Sequence, residues 1–327
     1  MKNILQSKII MLGLSLGLAL SLSCKQPISQ DEAVLQLEGP YFGLVPTDTP
    51  QMLAPGIIST VLTEYNGTFS PDGNAFFYTS EAAGKGNITY TKLGADNTWT
   101  KAEIADFSGK YSEYDPLFSP DGNRLYFSSE RPMPQSEQRT TNIWFVNRTE
   151  SGWSEPNPLA LSGMGDYYSS ITQNGDIYFN IWNTGKILKA TKTDSTYFTQ
   201  ELPEIINSRS DVGDPFISPN EDYLIYRAFY DEGYGRGDLY ISFNIEGNWT
   251  KPENLGDQIN TNGHEICPYV TADGKMFIFA SDRLQEYYSD ETLAELQAKY
   301  QSYDNGNSNI YYMSAAFIQR MKAKHTQ

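Results

Sequence analysis

A short turn motif returns five times along this chain, and no other feature restricts its fold as tightly. The copies are Phe69-Ser70-Pro71-Asp72-Gly73, Phe118-Ser119-Pro120-Asp121-Gly122, Ile171-Thr172-Gln173-Asn174-Gly175, Ile217-Ser218-Pro219-Asn220-Glu221 and Val270-Thr271-Ala272-Asp273-Gly274. Their Ser or Thr positions lie 49, 53, 46 and 53 residues apart. Each copy is suited to reversing a chain. Proline presets φ at the first corner, Asp or Asn favours the second, and glycine accepts the left-handed conformation that closes a hairpin. Aromatic and β-branched runs follow the turn, as at 124–128, 223–226 and 275–279, and read as buried strands. A third strand is expected at 87–90, 142–146, 186–189, 238–242 and 309–312, and a fourth opens at Trp99, Trp153, Tyr197 and Trp249. Four strands per period make one blade of a propeller.

The expected fold is therefore all-β, a single β-propeller of about five four-stranded blades over residues 50–327. No fourth strand is left after Tyr312, while the stretch from Pro50 to Pro55 is unassigned ahead of the first repeat. That N-terminal segment is expected to supply the outer strand of the last blade, joining the chain's two ends and removing an open edge. Six blades, the alternative, would need three more strands from residues 25–49, which carry too little strand pattern.

The Ser-Pro-Asp-Gly turn followed by a Leu-Tyr-Phe-like strand resembles the repeats of TolB-like, WD-repeat-like propellers. The likeness is closest in Gly237-Asp238-Leu239-Tyr240-Ile241-Ser242, Trp249-Thr250-Lys251-Pro252, Asn254-Leu255-Gly256, Ile259-Asn260-Thr261 and 268–283. It runs from about residue 50 to 318 and is similar to exported members of that family in Gram-negative bacteria. The resemblance implies the fold and leaves function open, because propellers host many functions. TolB's additional α/β domain has no counterpart here, so its partners are not implied.

Two segments depart from the repeat. Residues 289–300 place acids first, Lys299 late and apolar residues at Leu293, Leu296 and Tyr300, the spacing of a short amphipathic helix inserted in the fifth blade. It reads as a surface decoration or a partner-docking helix. A second short helix is expected over 315–324, with Arg320, Lys322 and Lys324 towards its C-terminal end.

The first 23 residues have the layout of a secretory signal peptide: Lys2 and Lys8, then an apolar run from Ile9 to Leu22 that is short for a membrane span. Leu20-Ser21-Leu22-Ser23-Cys24 resembles a lipobox, although Ser21 stands where Leu is usual. Cys24 is the expected lipidation site, with residues 24–49 as lipidated N-terminus and tether and the cell envelope, at the outer membrane, as location. Such a lipoprotein faces either the periplasm or the cell surface. Cys267 then has no disulfide partner and reads as a small buried hydrophobe. The formal charge is −16, and loss of residues 1–23 leaves −18. Such a balance repels nucleic acid and anionic headgroups, so the membrane is reached through the lipid anchor only.

Blade-to-blade connections and the loops between second and third strands emerge on one face, opposite the Ser-Pro-Asp-Gly turns. Six residues before the repeat Ser or Thr stand Glu64, Glu113, Asp166 and Glu265, and four before it stand Asp115 and Asp214. Twelve after it stand Arg131 and Arg283. This ring of acids with two arginines is the candidate ligand-binding face, joined by Tyr111, Tyr114, Tyr167, Tyr168, Tyr230, Tyr234 and Trp182 for stacking on a sugar or peptide. Each acid taken singly also suits a structural role, capping a turn or pairing with a neighbouring backbone. Clustered carboxylates could recruit Ca or Mg, but no loop has the dense Asp-x-Asp-x-Asp pattern, and no cofactor or metal is assigned.

Only His264 and His325 are present, which excludes a His-rich zinc or manganese site and leaves few bases for a Ser-His-Asp triad. No P-loop, dinucleotide fingerprint or Gly-x-Ser-x-Gly occurs. The expected function is a binding or scaffolding module for a glycan fragment or an envelope protein. The alternative is a glycoside hydrolase using paired carboxylates at the channel mouth.

Overall fold

The computed structural model describes residues 37–134, 140–181, 184–194, 196–209, 211–283 and 291–325. Five antiparallel sheets are formed by them, each in the order expected from the repeat. Blade 1 comprises Thr63–Phe69, Ala75–Ala82, Lys85–Lys92 and Glu103–Ile104. Blade 2 comprises Glu113–Phe118, Arg124–Ser129, Asn142–Thr149 and Asn157–Leu159, with Gly152–Trp153 folding back on its third strand. Asp166–Ile171, Ile177–Ile181, Ile187–Lys192 and Tyr197–Glu201 make blade 3. Val212–Ile217, Tyr223–Ala228, Asp238–Ile245 and Asn248–Trp249 make blade 4, and Glu253–Asn254 pairs beside its third strand. Blade 5 takes Glu265–Val270, Met276–Ser281 and Asn309–Ser314 from the end of the chain and Gln51–Met52 from its beginning. The closing register sets Gln51 opposite Tyr312 and Met52 opposite Tyr311, so the ends of the chain are sewn together where the leftover strand pattern implies. First strands touch around the ring, with blade 5 returning to blade 1. Among the described residues no helix is long and apolar enough to cross a membrane.

The repeated turn explains its own sequence. In blade 1 the Ser70 hydroxyl donates to Asp72 Oδ1 at 2.6 Å and accepts from the Ala75 amide at 2.9 Å, while the Gly73 amide donates to the Ser70 carbonyl at 2.8 Å. Gly73 sits at φ 73°, where a side chain would be strained and would meet the Tyr41 ring. The fourth copy carries Glu221 at φ 59° in that place. Its carboxylate accepts from the Tyr178 hydroxyl at 2.6 Å and from Lys189, contacts across to blade 3 that offset the backbone strain.

Residues 37–49, part of the tether in the sequence reading, lie against the propeller. Leu37 and Phe42 are buried, the Trp99 indole donates to the Gly39 carbonyl at 2.8 Å, and the Ser314 amide donates to the Thr47 carbonyl at 2.7 Å. Removing the Phe42 ring from water contributes roughly 1.5–3 kcal/mol to holding the segment down, alongside Leu37 and these hydrogen bonds. Residues 1–36, with the signal segment and Cys24, are outside the described residues.

Helix α1, Leu293–Tyr300, starts at Thr292 with a reciprocal capping box to Glu295, and none of its residues is buried. Its apolar positions face solvent, with Leu293 71% and Tyr300 75% exposed. Helix α2, Ala316–Lys322, buries Phe317 and Ile318 against blade 5, where Phe317 meets the Phe277 ring at 5.2 Å.

Candidate functional site

In the four repeats that carry one, the acid six residues before the repeat Ser or Thr is turned into its own blade. Glu64, Glu113, Asp166 and Glu265 are each 0% exposed. Glu64 accepts from the Thr60 amide at 3.0 Å and from the Thr60 hydroxyl. Glu113 accepts from the Ser108 hydroxyl at 2.6 Å and the Gly109 amide at 3.1 Å. Asp166 holds the Leu161 and Ser162 amides, and Glu265 takes the Thr261 amide at 3.0 Å and hydroxyl at 2.7 Å. Each carboxylate thus ties down the connection that enters its blade, satisfying amides that would otherwise be orphaned.

Arg131 and Arg283 complete two of these anchors in nearly the same geometry. Arg131 Nη2 donates to the Phe107 carbonyl at 2.9 Å, Nε donates to the Ser129 hydroxyl at 3.3 Å, and the guanidinium pairs with Glu113. Arg283 Nη2 donates to the Ile259 carbonyl at 2.9 Å, Nε donates to the Ser281 hydroxyl at 3.3 Å, and Glu265 lies at 3.8 Å. Their planes lie over aromatic rings, Arg131 5.3 Å from the Trp144 centroid and Arg283 4.5 Å from that of Tyr311. Burial raises the Glu265 carboxyl pKa, while Ser281, Thr261 and Arg283 oppose that rise.

A second ring lies two residues further along each first strand. Asn66, Asp115, Tyr168, Asp214 and Cys267 occupy the same repeat position, and all five have left-handed φ between 47° and 57°. Each first strand slips register at this point, a β-bulge that re-aims one side chain per blade. The five come from five blades and meet at the channel, all between 1% and 7% exposed. Asp115 is pushed up to about 7, by burial first and by Asp214 second, although Asn66, Tyr167 and Ser128 lie near enough to favour its ionised form in part. Its carboxylate oxygens have no hydrogen-bond partner within 3.5 Å. Asp214 is matched by Arg227, whose Nε stands 3.4 Å away. Burial, with Asp214 and Asp115 adding to it, raises the Cys267 thiol far above its ordinary range.

Of the sequence-derived candidates, the structure brings Asp115, Asp214, Tyr167 and Tyr168 together and distributes Glu64, Glu113, Asp166, Glu265, Arg131 and Arg283 among separate blade anchors. Tyr234 is exposed, while Tyr111, Tyr114 and Tyr230 are half-buried. Trp182 lies outside the described residues. His264 is half-buried near Arg227, its amide donates to Asp282 at 2.7 Å, and burial followed by the Arg227 charge lowers its pKa. Asn66 and Cys267 are additions to the candidate face, and they and Tyr168, a candidate for stacking, differ in chemistry from the two acids of the ring. Only their shared position in the repeat marks them. Among the described residues no group of three His, Cys, Asp or Glu side chains is arranged to hold a metal ion.

The molecule is thus a five-bladed propeller with a side-chain-filled channel and loop-anchoring acids. It is similar in structure to TolB from Acinetobacter baumannii, at 18% identity and a TM-score of 0.42, over 60% of this chain and 44% of that one. A candidate TolB of Agrobacterium tumefaciens matches at 13% identity and 0.45, over 77% and 90% of the two chains. A GH62 hydrolase solved with xylotriose matches at 10% identity and 0.46, over 82% and 95%. This chain spans less than half the length of the first of these. No family model matches the sequence, and no curated protein does.

Proposed function

We propose that this protein is a rigid binding or scaffolding module whose partner is an envelope protein, held at the envelope by lipid on Cys24. The observation that carries the reading is where most of the exposed apolar side chains lie, Val45, Ile104 and Phe198 being the exceptions among the described residues. Leu62, Met164 and Ile205 stand on connections entering blades 1, 3 and 4, Phe229 and Tyr234 on the loop between second and third strands of blade 4, and Leu293, Leu296 and Tyr300 on the blade 5 insertion. All of these segments emerge on the same face by the up-and-down order of the strands. Apolar side chains gathered on one face, on loops held by a rigid ring, suit a protein partner better than a glycan.

Burial of the acids weighs against hydrolysis. A glycosidase needs two carboxyl groups facing one sugar, whereas the six candidate acids are at most 7% exposed, and Glu64, Glu113, Asp166 and Glu265, from separate blades, each serve their own blade's entering connection. The test is to offer the full chain to glycan arrays and to purified envelope proteins, then to repeat it with Met164→Lys and Tyr234→Lys. Binding of an envelope protein that both variants weaken at least tenfold, with Phe198→Lys elsewhere on blade 3 leaving it intact, is the expected result. Release of sugar product, or binding indifferent to both face variants, overturns the reading.

A further inference from the structure

The anchors of blades 1, 2, 4 and 5 can be superposed residue by residue, because the repeat numbers them alike. Blades 2 and 5 hold a Glu opposite a Ser in the ladder, Glu113 with Ser129 and Glu265 with Ser281, and each fills the space above that pair with an arginine. Blade 4 replaces both charged members at once, carrying Val212 for the acid and Tyr230 for the arginine, which pack together in an apolar cluster. Blade 1 keeps the acid, with Glu64 opposite Ser80, but has Ala82 where the arginine would be and Thr89 where Trp144 or Tyr311 provides a ring.

The arginine's place in blade 1 is a cavity of about 250 Å³, lined by Glu64, Tyr78, Ser80, Ala82 and Thr89 and rimmed by Leu62, Glu103 and Ile104. Ser80 behaves accordingly. Ser129 and Ser281 each accept from an arginine Nε, and Ser281 donates to Glu265 at 2.6 Å. Ser80 is instead paired with the Thr89 hydroxyl at 2.6 Å, so Glu64 has Thr60 as its hydrogen-bonding support. The aromatic floor survives as Tyr78, at the position of Phe127 and Phe279. A buried carboxylate without a counter-charge is costly to hold ionised, and burial pushes Glu64 up to about 7.

We propose that blade 1 binds a guanidinium group from outside the chain, in the slot that Arg131 and Arg283 occupy in blades 2 and 5. A guanidinium is planar, offers several donors and stacks on rings, the set of contacts its two intramolecular counterparts make. A lysine ammonium is a compact, strongly hydrated charge that matches this slot poorly. The slot stands on its own geometry and rests on the binding-module reading only for the donor, which the apolar rim of Leu62 and Ile104 points to as an arginine of a protein partner.

Titration calorimetry of the full chain with agmatine, Nα-acetyl-arginine amide and its lysine counterpart tests the assignment. Both guanidino probes should bind saturably and at least tenfold tighter than the lysine probe. Glu64→Gln should weaken them tenfold or more. Ala82→Arg should abolish binding while raising the unfolding midpoint, because the chain then fills its own slot. If Glu64→Gln fails to fold, Ala82→Arg decides alone. A short peptide with a central arginine that binds at least tenfold tighter than agmatine assigns a protein source, and the reverse order a small guanidino compound. No saturable binding, equal binding of the lysine probe, or full affinity in folded Ala82→Arg overturns the proposal. Docking that Met164→Lys abolishes in a chain that binds no guanidinium leaves the module reading standing without the slot.

Discussion

Replacing Asp115 by Asn should remove much of the pH dependence of stability that the channel imposes. In the unfolded chain the carboxyl releases its proton near its ordinary 3.8, whereas in the folded channel it holds the proton until about 7. Between those values the native state binds more protons, so raising the pH destabilises it. The gap, at about 1.4 kcal/mol per pH unit, is worth on the order of 4 kcal/mol in full, of which roughly 3 kcal/mol is lost between pH 5 and pH 8. Asp115→Asn keeps the shape and cannot ionise. Urea unfolding of both proteins at pH 5 and pH 8 should show wild-type stability falling with pH and the variant falling less, by about that difference. Glu64 and Glu265 are also raised by burial and add a fall of the same sign to both proteins, so the difference between them isolates Asp115. Arg227, Asp214, Tyr65, Tyr167, Tyr168 and Cys267 surround the group and are common to both. An unchanged pH dependence in the variant, or wild-type stability that rises from pH 5 to pH 8, refutes the argument.

Arg131→Ala strands the buried Glu113 carboxylate and should cost about 3–5 kcal/mol in urea unfolding, whereas Glu113→Val with Arg131→Tyr, the pair blade 4 uses, should cost less. Equal losses would show that the ion pair is not what the blade depends on. With Cys24→Ala the remaining thiol, Cys267, should resist a thiol reagent in the native protein and react fully once denatured, and rapid native labelling would contradict its buried place. The same Cys24→Ala change should move the protein from the membrane fraction to the soluble one, and unchanged fractionation would remove the lipid anchor from the proposal.

Most of the fold could be read from the chain because its determinants are local and repeated. Ser-Pro-Asp-Gly makes its turn with bonds among neighbouring residues, the strand runs carry their own propensity, and the leftover segment before the first repeat had one sheet edge to complete. The helical insertion followed in the same way from its apolar spacing with acids first and Lys299 late, and the tail helix from a short segment with its basic residues late. The packing of residues 37–49 was less legible, because Leu37 and Phe42 carry no strand period and find their place only when Trp99 and Phe69 are brought beside them.

The site residues divide along the same line. Sequence alone determined that an acid would recur at one repeat position and that arginines would stand twelve residues after two of the turns. Only the tertiary structure decided that Glu64, Glu113, Asp166 and Glu265 turn back to hold their own connections, while Asn66, Asp115, Tyr168, Asp214 and Cys267 meet at the channel. The reason is the bulge in each first strand. Alternation along a strand assigns faces only while the register is kept, and one left-handed residue per blade breaks it at the place where the acids sit. The empty place above Glu64 is a tertiary fact of the same kind, visible in Ala82 only once blades 2 and 5 show what its counterparts fill.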